Sequence, residues 1–545
     1  MCNKSFLLSV FCILLLISCR NDSVKVSSGA KNITLVSASL DGRPTSLSYS
    51  GASITPQLTL NFSEPINHAS AQNYISLNGG IVAISIAFTH HDSTLVIQPV
   101  NPLNYLTSYN LQVSPQLAST TQKIFSGSGV LIRIITGINP ASKFPAISDT
   151  ALVNLVQQQT LKYFYDFAEP VSGMARERNS SGNLVTTGGS GFGLMALVVG
   201  INRGFISRAN GIARFVKIIS YLEKADRFHG AWPHWSDGTT GKVIPFSTND
   251  NGADLVETSF MVQGLITVRQ YLTSTDTVGN NLINRINNLW QAVEFDWFRQ
   301  GSQQVLYWHW SPDKGWIMNM PIRGYDEALI VYLLAAGSPT HTIPASVYQQ
   351  GWAQNGSIKN GKTFYGHVLP LGQDYGGPLF FTHYSFLGFD PHTQDAYANY
   401  WTQNTNHALI NHDYCTANPG NFIGYADNCW GLTASDNPWG YDAQSPTSDN
   451  GTITPTAAIS SMPYTPTQSM NAIKYFYYIL GDKMWGQYGF YDSFNITQGW
   501  TATSTLAIDQ GPIVVMIENY RTQLLWNLFT SAPEVQAAKT KLGFN

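Results

Sequence analysis

The sequence predicts two domains, a small all-β sandwich followed by an all-α domain built as an (α/α)6 barrel. At 545 residues the chain is too long for one hydrophobic core. Short β-branched runs separated by turns fill residues 32–138, and helical spacing of apolar residues continues over 147–545. We place the boundary near residue 142, inside a linker over 139–146.

The first domain is predicted from six short runs that alternate with turn residues, as in a β-sandwich. The runs cover residues 33–39, 57–62, 81–88, 94–98, 109–114 and 130–136. The stretch from Leu95 to Tyr109 resembles the immunoglobulin-like modules appended to many bacterial surface enzymes. It contains no cluster of acids or histidines, which favours a spacer over a sugar-binding module.

The second domain is predicted from twelve segments with apolar residues at helical spacing. They cover residues 148–168, 190–202, 207–226, 254–275, 279–300, 325–336, 343–352, 380–388, 393–411, 455–463, 467–481 and 510–529. Every second segment, beginning with the second, is richer in small and apolar residues, and helices that are apolar nearly all round are buried ones. Six alternations of an outer and an inner helix predict the barrel. The patterns that start at 343, 380 and 455 are weak, so an irregular helical domain is the alternative.

The N-terminus is predicted to be an export signal. Lys4 precedes an apolar run over 6–17 that is too short to span a bilayer. The run ends before Cys19 in a pattern that resembles the lipobox of bacterial lipoproteins, in which residues 1–18 would be removed and the cysteine lipidated. We therefore expect a tether over 19–31 and an exported lipoprotein, periplasmic or on the outer-membrane surface, that contacts the membrane through its lipid alone.

The amino-acid composition narrows the classes of molecule that the protein is expected to bind. Charged residues make up 12% of the chain and the net charge is −3, so nothing would hold a polyanion such as nucleic acid. Aromatic residues also make up 12%, and flat aromatic faces beside neutral hydrogen-bonding groups suit sugars, although a large aromatic core would use many of them. We expect a neutral glycan as partner, a monomer and no cofactor.

Carboxylates recur where predicted loops meet the starts of inner helices. Asp250 and Asp254 precede the helix that carries Glu257, Glu327 begins another, and Asp509 begins the last. Hydrolysis of a glycosidic bond needs two carboxyls, one protonated and one ionised. Each acid alone has a plainer explanation, since Asp254 and Glu257 have the spacing of a capping box. Taken together, beside several aromatic residues, they predict a catalytic site.

Four segments, residues 231–235, 250–257, 323–341 and 509–521, resemble the glucoamylase-like domain of glycoside hydrolase family 144. The string from Gly324 to His341 is the most specific of them. The resemblance covers about residues 145–545 and implies an (α/α)6 barrel that hydrolyses β-1,2-glucan with inversion at the anomeric carbon. It leaves open whether cleavage occurs within the chain or releases sophorose from a chain end.

The resemblance also implies roles, carried over residue by residue. We expect Glu327 to be the general acid and Asp254 to activate water, with Asp250 assisting. Asp509 and Glu518 are alternatives to Asp254. The residues expected to bind substrate are Trp232, His234, Trp235, Glu257, Arg323, Tyr325, Trp430, Trp439 and Gln510.

A long stretch without helical periodicity, 412–452, is predicted to be functional, because long loops in compact domains usually are. Its Cys415 and Cys429 lie 14 positions apart, and export favours a disulfide between them. Its aspartates follow no spaced ligand motif, so no metal site is predicted and bound calcium is the less favoured alternative. His383 and Tyr384 fit the core as well as a pocket.

Two rival functions fit part of this pattern. A polysaccharide lyase on the same barrel would need a cationic cleft, whereas the basic residues here are scattered along the chain. A noncatalytic glycan-binding lipoprotein would explain the aromatic residues but not the carboxylates at helix starts. The products formed from unsubstituted β-1,2-glucan would separate the three.

Overall fold

The computed structural model describes residues 32–272 and 277–545. The predicted signal peptide, the Cys19 lipidation site and the tether lie outside the described residues. Within the described ranges, no helix is both long and apolar enough to cross a membrane. The chain divides into two compact units, one made of the residues before Ser48 with 56–101 and 110–132, the other of 48–55, 102–109 and 133–545.

The N-terminal region is β-sandwich-like, as predicted. Its elements are β1 (Leu35–Leu40), β2 (Ser48–Ala52), β3 (Leu58–Phe62), α1 (His68–Tyr74), β4 (Ile75–Leu77), β5 (Ile84–Thr89), β6 (Thr94–Pro99), β7 (Ser108–Val113) and β8 (Val130–Thr136). One four-stranded sheet has the order β1-β3-β6-β5 and the other has the order β2-β8-β7-β4.

Period-two burial explains the strands. In β3, Leu58, Leu60 and Phe62 are buried while the residues between them are partly exposed. All six predicted strands are confirmed. The two unpredicted strands, β2 and β4, are too short or too polar to show the alternation on which strand prediction depends.

The remainder of the chain is mostly helical. Its helices are α2 (Asp149–Tyr165), α3 (Thr187–Asn202), α4 (Arg208–Leu222), α5 (Leu255–Tyr271), α6 (Thr277–Gln291), α7 (Leu329–Gly337), α8 (Ala345–Val347), α9 (Phe380–His383), α10 (Tyr400–Ala417), α11 (Pro455–Ser460), α12 (Pro466–Lys474), α13 (Gly481–Met484), α14 (Ala507–Thr522), α15 (Leu524–Thr530) and α16 (Pro533–Leu542).

Short strands lie in the loops between these helices. They are β9 (Leu184–Thr186), β10 (Trp235–Asp237), β11 (Val243–Ile244), β12 (Ala253–Asp254), β13 (His309–Trp310), β14 (Thr363–Phe364), β15 (His367–Val368), β16 (Ala434–Asn437), β17 (Gly440–Ala443), β18 (Trp485–Gly486), β19 (Gly489–Phe490), β20 (Phe494–Asn495) and β21 (Trp500–Thr501). Several pair next to helix starts, so they fix the loops there.

An inner set of helices forms the core of this region. Helices α3, α5, α7, α11 and α14 are buried on nearly every face. Helix α3 packs between α5 and α14, α7 packs on α5, and α11 packs on α14. Helices α2, α4, α6 and α16 contact this set and are buried on one side. Over this part of the domain, the predicted alternation of inner and outer helices is found.

Glycines bring α3 and α5 into backbone contact. A Cβ atom at Gly191 would lie 2.6 Å from the Cα of Met261, and one at Gly264 would lie 2.9 Å from the carbonyl carbon of Gly191. Any larger residue would force the two helices apart. The crossing therefore fixes how the starts of α3 and α5 stand relative to each other.

Several predicted helices differ from the observed ones: the segment over 279–300 ends at Gln291, and that over 325–336 begins at Leu329. The segment predicted over 380–388 is a single turn, Phe380–His383. The segment over 510–529 is two helices, because Gln523 adopts a left-handed φ of 57° between them. The segment over 393–411 begins later, since the Asn399 side chain accepts a hydrogen bond from the Thr402 N–H and caps α10.

Candidate active site

Asp254 lies at the start of α5 and caps it. One carboxylate oxygen accepts hydrogen bonds from the N–H groups of Val256 (3.0 Å) and Glu257 (2.9 Å). The other lies 3.0 Å from Nδ1 of His234. The side chain is 0% exposed, so the helix N-terminus and the imidazole replace water around its charge. The simpler expectation for this acid, a helix cap, is confirmed.

His234 completes an ion pair with Asp254. Burial alone would lower the pKa of His234, but the negative charge of Glu257 and the hydrogen bond to Asp254 raise it to about 9. The same hydrogen bond lowers the pKa of Asp254 against the opposing effect of burial. The imidazole packs on the exposed Phe246 ring, with centroids 4.4 Å apart. The raised pKa of His234 and the lowered pKa of Asp254 favour a partly exposed imidazolium paired with a buried carboxylate at neutral pH.

Asp250 and His309 extend this cluster. Nε2 of His309 lies 3.4 Å from the Asp250 carboxylate and 3.7 Å from that of Asp254. Burial, followed by the negative charge of Asp254, raises the pKa of Asp250 to about 7. Sequence reasoning missed His309, although the run Trp308, His309, Trp310 has the aromatic and titratable character of a sugar site.

Glu257 points back from the first turn of α5 toward the start of α3. Its carboxylate accepts hydrogen bonds from the Gly188 N–H (2.6 Å) and from the Thr186 hydroxyl (3.4 Å). A Cβ at Gly188 would lie 2.6 Å from that carboxylate, so only glycine permits the approach. Burial raises the pKa of Glu257. The predicted substrate contact is thus also a link between two inner helices.

Glu327 lies just before α7, on the same set of inner-helix starts. Asp326 beside it accepts a hydrogen bond from the Ala328 N–H (2.9 Å), which fixes the turn that leads into α7. Burial, then the charge of Asp326, raises the pKa of Glu327 well above its usual value. The charges of Asp254 and Glu257 add to that increase, which places the Glu327 carboxyl in their field. The structure thus brings Glu327 together with the acids of α5.

A second carboxyl cluster lies at the start of α14. One oxygen of Asp492 accepts a hydrogen bond from the Asp436 N–H (2.7 Å), and Arg178 pairs with Asp436 (3.0 Å) and Glu177 (2.9 Å). Neither Asp509 oxygen accepts a hydrogen bond within the part of the chain that the structure describes. Burial, then the charge of Asp492, raises the pKa of Asp509 well above normal. Burial, then the charge of Asp436, raises the pKa of Asp492 to about 7. Both carboxyls are therefore harder to ionise than a carboxyl in water.

Tyr384 lies between the two clusters. After burial, the causes that raise the pKa of its hydroxyl include the charges of Asp509, Glu327 and Glu257. Charges from both clusters therefore act on the Tyr384 hydroxyl. Sequence reasoning left Tyr384 open between core and pocket, and it missed Asp492, which follows no helix-start pattern.

Four predicted substrate contacts have side chains that are buried and bonded within the protein, and their contact with substrate stays a prediction. The indole N–H of Trp232 donates to the Leu222 carbonyl, that of Trp430 to Gln468, the Tyr325 hydroxyl to Asn404, and the Gln510 amide to Phe490. Aromatic content alone could not separate such core residues from a binding surface.

Four other predicted contacts are accessible. His234 and Trp235 are partly exposed and Arg323 is exposed. Trp439 is 64% exposed at the turn of the β16–β17 hairpin. The alternative base Glu518 is wrong: it accepts hydrogen bonds from Gln157 (3.2 Å) and Thr522 (3.0 Å), nine residues along α14 from Asp509, or about 13 Å along a helix.

The predicted disulfide is not formed. Cys415 and Cys429 are free and fully buried. Burial raises the pKa of both thiols, and a thiol held in its neutral form is a poor partner for oxidation. Spacing and compartment, the two signals available in the sequence, carry no information on burial, which explains the error.

One group of side chains has the spacing of a metal site within the described residues. His234, Asp250 and Asp254 each bring a ligand atom within 4.8 Å of the others. His234 already donates a hydrogen bond to Asp254 in this group, and its positive charge balances the carboxylates. The arrangement therefore serves as a hydrogen-bonded charge cluster as it stands.

Relatives share most of this chain. The family model described as "Putative glucoamylase" matches residues 319–533, and that described as "Bacterial Ig-like domain" matches residues 25–129. The exo β-1,2-glucooligosaccharide sophorohydrolase (non-reducing end) of Parabacteroides distasonis is 47% identical over 425 residues, which cover 74% of this chain and 59% of that protein. The chain thus spans about three fifths of the length of that relative.

Solved structures extend the likeness. An endo-β-1,2-glucanase from Chitinophaga pinensis, in complex with sophorotriose and glucose, is 56% identical with a TM-score of 0.72, over 73% of this chain and 99% of that one. A β-1,2-glucanase from Parabacteroides distasonis is 38% identical with a TM-score of 0.72, over 95% of this chain and 73% of that one. By this identity over nearly the whole of a relative, the chain belongs to glycoside hydrolase family 144, through its glucoamylase-like domain.

Proposed function

We propose that this protein hydrolyses β-1,2-glucan or its oligosaccharides with inversion, by two carboxyls at the inner-helix starts of an (α/α)6 barrel. The observation that carries the proposal is the position of Glu327 just before α7, where burial and the charges of Asp326, Asp254 and Glu257 raise the pKa of its carboxyl. Relatives named as β-1,2-glucanase and sophorohydrolase support the same substrate.

Glu327 suits the general acid. A general acid must hold its proton at working pH and lose it in the transition state, so a carboxyl with a raised pKa is required. Burial and the acids around Glu327 provide that increase. The glycosidic oxygen would take this proton as its bond to the anomeric carbon breaks.

Asp509 suits the base better than Asp254. Both oxygens of Asp254 already accept hydrogen bonds, from the α5 N–H groups and from His234, and these bonds make the carboxylate a weaker base toward water. Both oxygens of Asp509 accept no hydrogen bond among the described residues. As the base, Asp509 would be the ionised member of the pair with Asp492, and it would take a proton from the water that attacks the anomeric carbon.

The remaining assignments follow from position. Asp250, with a pKa of about 7, assists beside Asp254. His234, Trp235 and Phe246 form a partly exposed aromatic group at one side of the acids, and Trp439 is exposed at the tip of a hairpin. These faces suit pyranose rings.

Glu327→Gln tests the proposal. Turnover of β-1,2-glucan, measured as reducing ends, should fall by at least ~100-fold, the low end of what a positioned acid contributes. Glu534→Gln is the matched control: it weakens the ion pair of Glu534 with Arg269 (2.8 Å) beside the C-terminal end of α7, so it should lower the melting temperature and leave turnover near normal at permissive temperature. Unsaturated products would indicate a lyase, and a wild-type protein that binds the glucan without cleaving it would leave only a binding module.

We also propose that the protein is an exported lipoprotein anchored at Cys19. The lipobox-like sequence before Cys19 supports this. Cys19→Ala should move the protein from the membrane fraction to the soluble exported fraction. Membrane association of the variant equal to that of the wild type would contradict the proposal.

A further inference from the structure

His309 lies between two carboxylates of the cluster at the start of α5. Strand β13, which carries it, pairs antiparallel with β12, so that His309 stands directly opposite Asp254. Its Nε2 is 3.4 Å from the Asp250 carboxylate and 3.7 Å from that of Asp254. One edge of the ring therefore faces both acids at once.

The ring is held firmly in this position. Trp308 lies parallel to it, with centroids 5.6 Å apart and planes 12° apart, and the Trp308 carbonyl accepts a hydrogen bond from the Leu255 N–H at the start of α5 (2.9 Å). The opposite nitrogen, Nδ1, is buried and has no hydrogen-bond partner within the described ranges. All the polar contacts of this side chain are thus made through Nε2.

Asp250 depends on this contact more than Asp254 does. Asp254 is fixed by the α5 N–H groups and by His234. Asp250 sits in a loop, where its backbone bonds to Ser247 and Phe246. The side-chain nitrogen that approaches its carboxylate is Nε2 of His309, at 3.4 Å.

We propose that His309 is a positioning residue for the reaction: through its Nε2–H it holds the Asp250 carboxylate against Asp254, in register with the acid Glu327. The inference rests on the proposed function. The groups that face His309 are Asp250, Asp254 and the positive His234, and both burial and His234 favour a neutral ring. A neutral imidazole with a free Nδ1 carries its proton on Nε2, as this role requires.

The test is a pair of amide substitutions. In His309→Gln the amide nitrogen reaches the position of Nε2, whereas in His309→Asn it ends near Nδ1 and falls short of Asp250. His309→Asn should lower kcat by about 10- to 100-fold, as expected when a catalytic group is misplaced by about 1 Å, with KM little changed. His309→Gln should restore kcat to within about 3-fold of the wild type by the same reasoning.

The pH profile separates positioning from mere support of the fold. Once released toward solvent, Asp250 should lose the increase in pKa that burial gives it, so the acidic limb of kcat should move to lower pH in His309→Asn only. His412 provides the matched control, because its ring also bonds to an aspartate, Asp413 (2.7 Å), and is buried elsewhere in the domain. His412→Asn should lower stability without moving the limb.

A double-mutant cycle with Asp250→Asn gives the decisive outcome. If His309 acts through Asp250, His309→Asn should cost no further kcat in an Asp250→Asn background. Additive losses, or equal activity of the Asn and Gln variants, would overturn the proposal. A wild-type enzyme that fails to cleave β-1,2-glucan would overturn the proposed function itself. If His309→Asn does not fold, His309→Leu, which keeps the bulk of the side chain but has no N–H donor, takes its place in the cycle.

Discussion

The two carboxyl clusters of the site differ in how the charge of their central acid is compensated. At the start of α5, His234 and the helix N–H groups neutralise Asp254, which is therefore an anion fixed in place. At the start of α14, the one cation, Arg178, pairs with Asp436 and Glu177, and Asp509 has no such partner among the described residues. A fully bonded carboxylate supports structure, whereas an unbonded one is available to a substrate.

The largest loss of kcat is expected for a substitution at Asp509, in the cluster at the start of α14. Asp509→Asn should lower kcat by at least ~100-fold, since it removes the group that activates water. Its melting temperature should stay equal or rise, because a buried carboxyl with no hydrogen bond is replaced by a neutral amide. Reducing-end kinetics and thermal melts of the variant measure both.

Asp254→Asn makes the same change, a carboxylate to an amide, in the cluster at the start of α5. It should lower stability by about 1 kcal/mol or more, because the α5 cap and the partner of His234 are weakened. Turnover at permissive temperature should fall less than in Asp509→Asn. A greater loss of kcat in a folded Asp254→Asn than in Asp509→Asn would return the base to Asp254.

An intermediate effect is expected at Trp439, in comparison with Trp430. Trp439→Ala should raise KM for glucan severalfold with kcat nearly unchanged, because an exposed ring that stacks on sugar contributes about 1 kcal/mol. Trp430→Phe should lower the melting temperature and leave KM unchanged, since its indole is buried and bonded to Gln468. An unchanged KM in Trp439→Ala would remove the hairpin tip from the binding surface.

The pH dependence of stability should reveal the His234 ion pair. Its pKa is raised from 6.5 to about 9 on folding, so its stabilisation is complete below about pH 6.5 and is lost as the pH rises through 9. His234→Gln should therefore reduce the fall in melting temperature between pH 6.5 and 9, by ~2 °C or more for a domain of this size. Parallel melting curves for variant and wild type would contradict the ion pair.

The smallest effect concerns the cysteines. With Cys2, Cys12 and Cys19 replaced by Ser, the native protein should react slowly with a thiol reagent, because Cys415 and Cys429 are buried. After denaturation without a reductant, two thiols should react. No reactive thiol at that point would restore the disulfide that spacing and export predicted.

The sequence predicted those features that depend on periodicity and on local pattern. Alternation located six strands, and apolar burial on all faces identified α3, α5 and α14 as inner helices. The same pattern placed Asp254 and Glu327 at helix starts. Short polar strands such as β2 show no alternation, and the break at Gln523 depends on one left-handed residue in an otherwise apolar run.

The contacts of the site depend on tertiary packing, and this is where prediction failed. Trp232 and Trp430 are of a residue type that is common on sugar-binding surfaces, but their side chains lie in the core. Asp492 follows no helix-start pattern, and His309 reaches Asp254 only through the pairing of two-residue strands far apart in the chain. Such residues can be recognised as part of the site only once the folded structure brings the loops together.

Infrared difference spectroscopy can show whether the Glu327 carboxyl is protonated at neutral pH, as its role as the general acid requires. The spectrum of the wild type minus that of Glu327→Gln at pH 7 should contain the C=O stretch of a protonated carboxyl, which disappears as the pH is raised through the Glu327 pKa. A carboxylate band in its place at pH 7 would show an ionised Glu327 and contradict its role as the general acid.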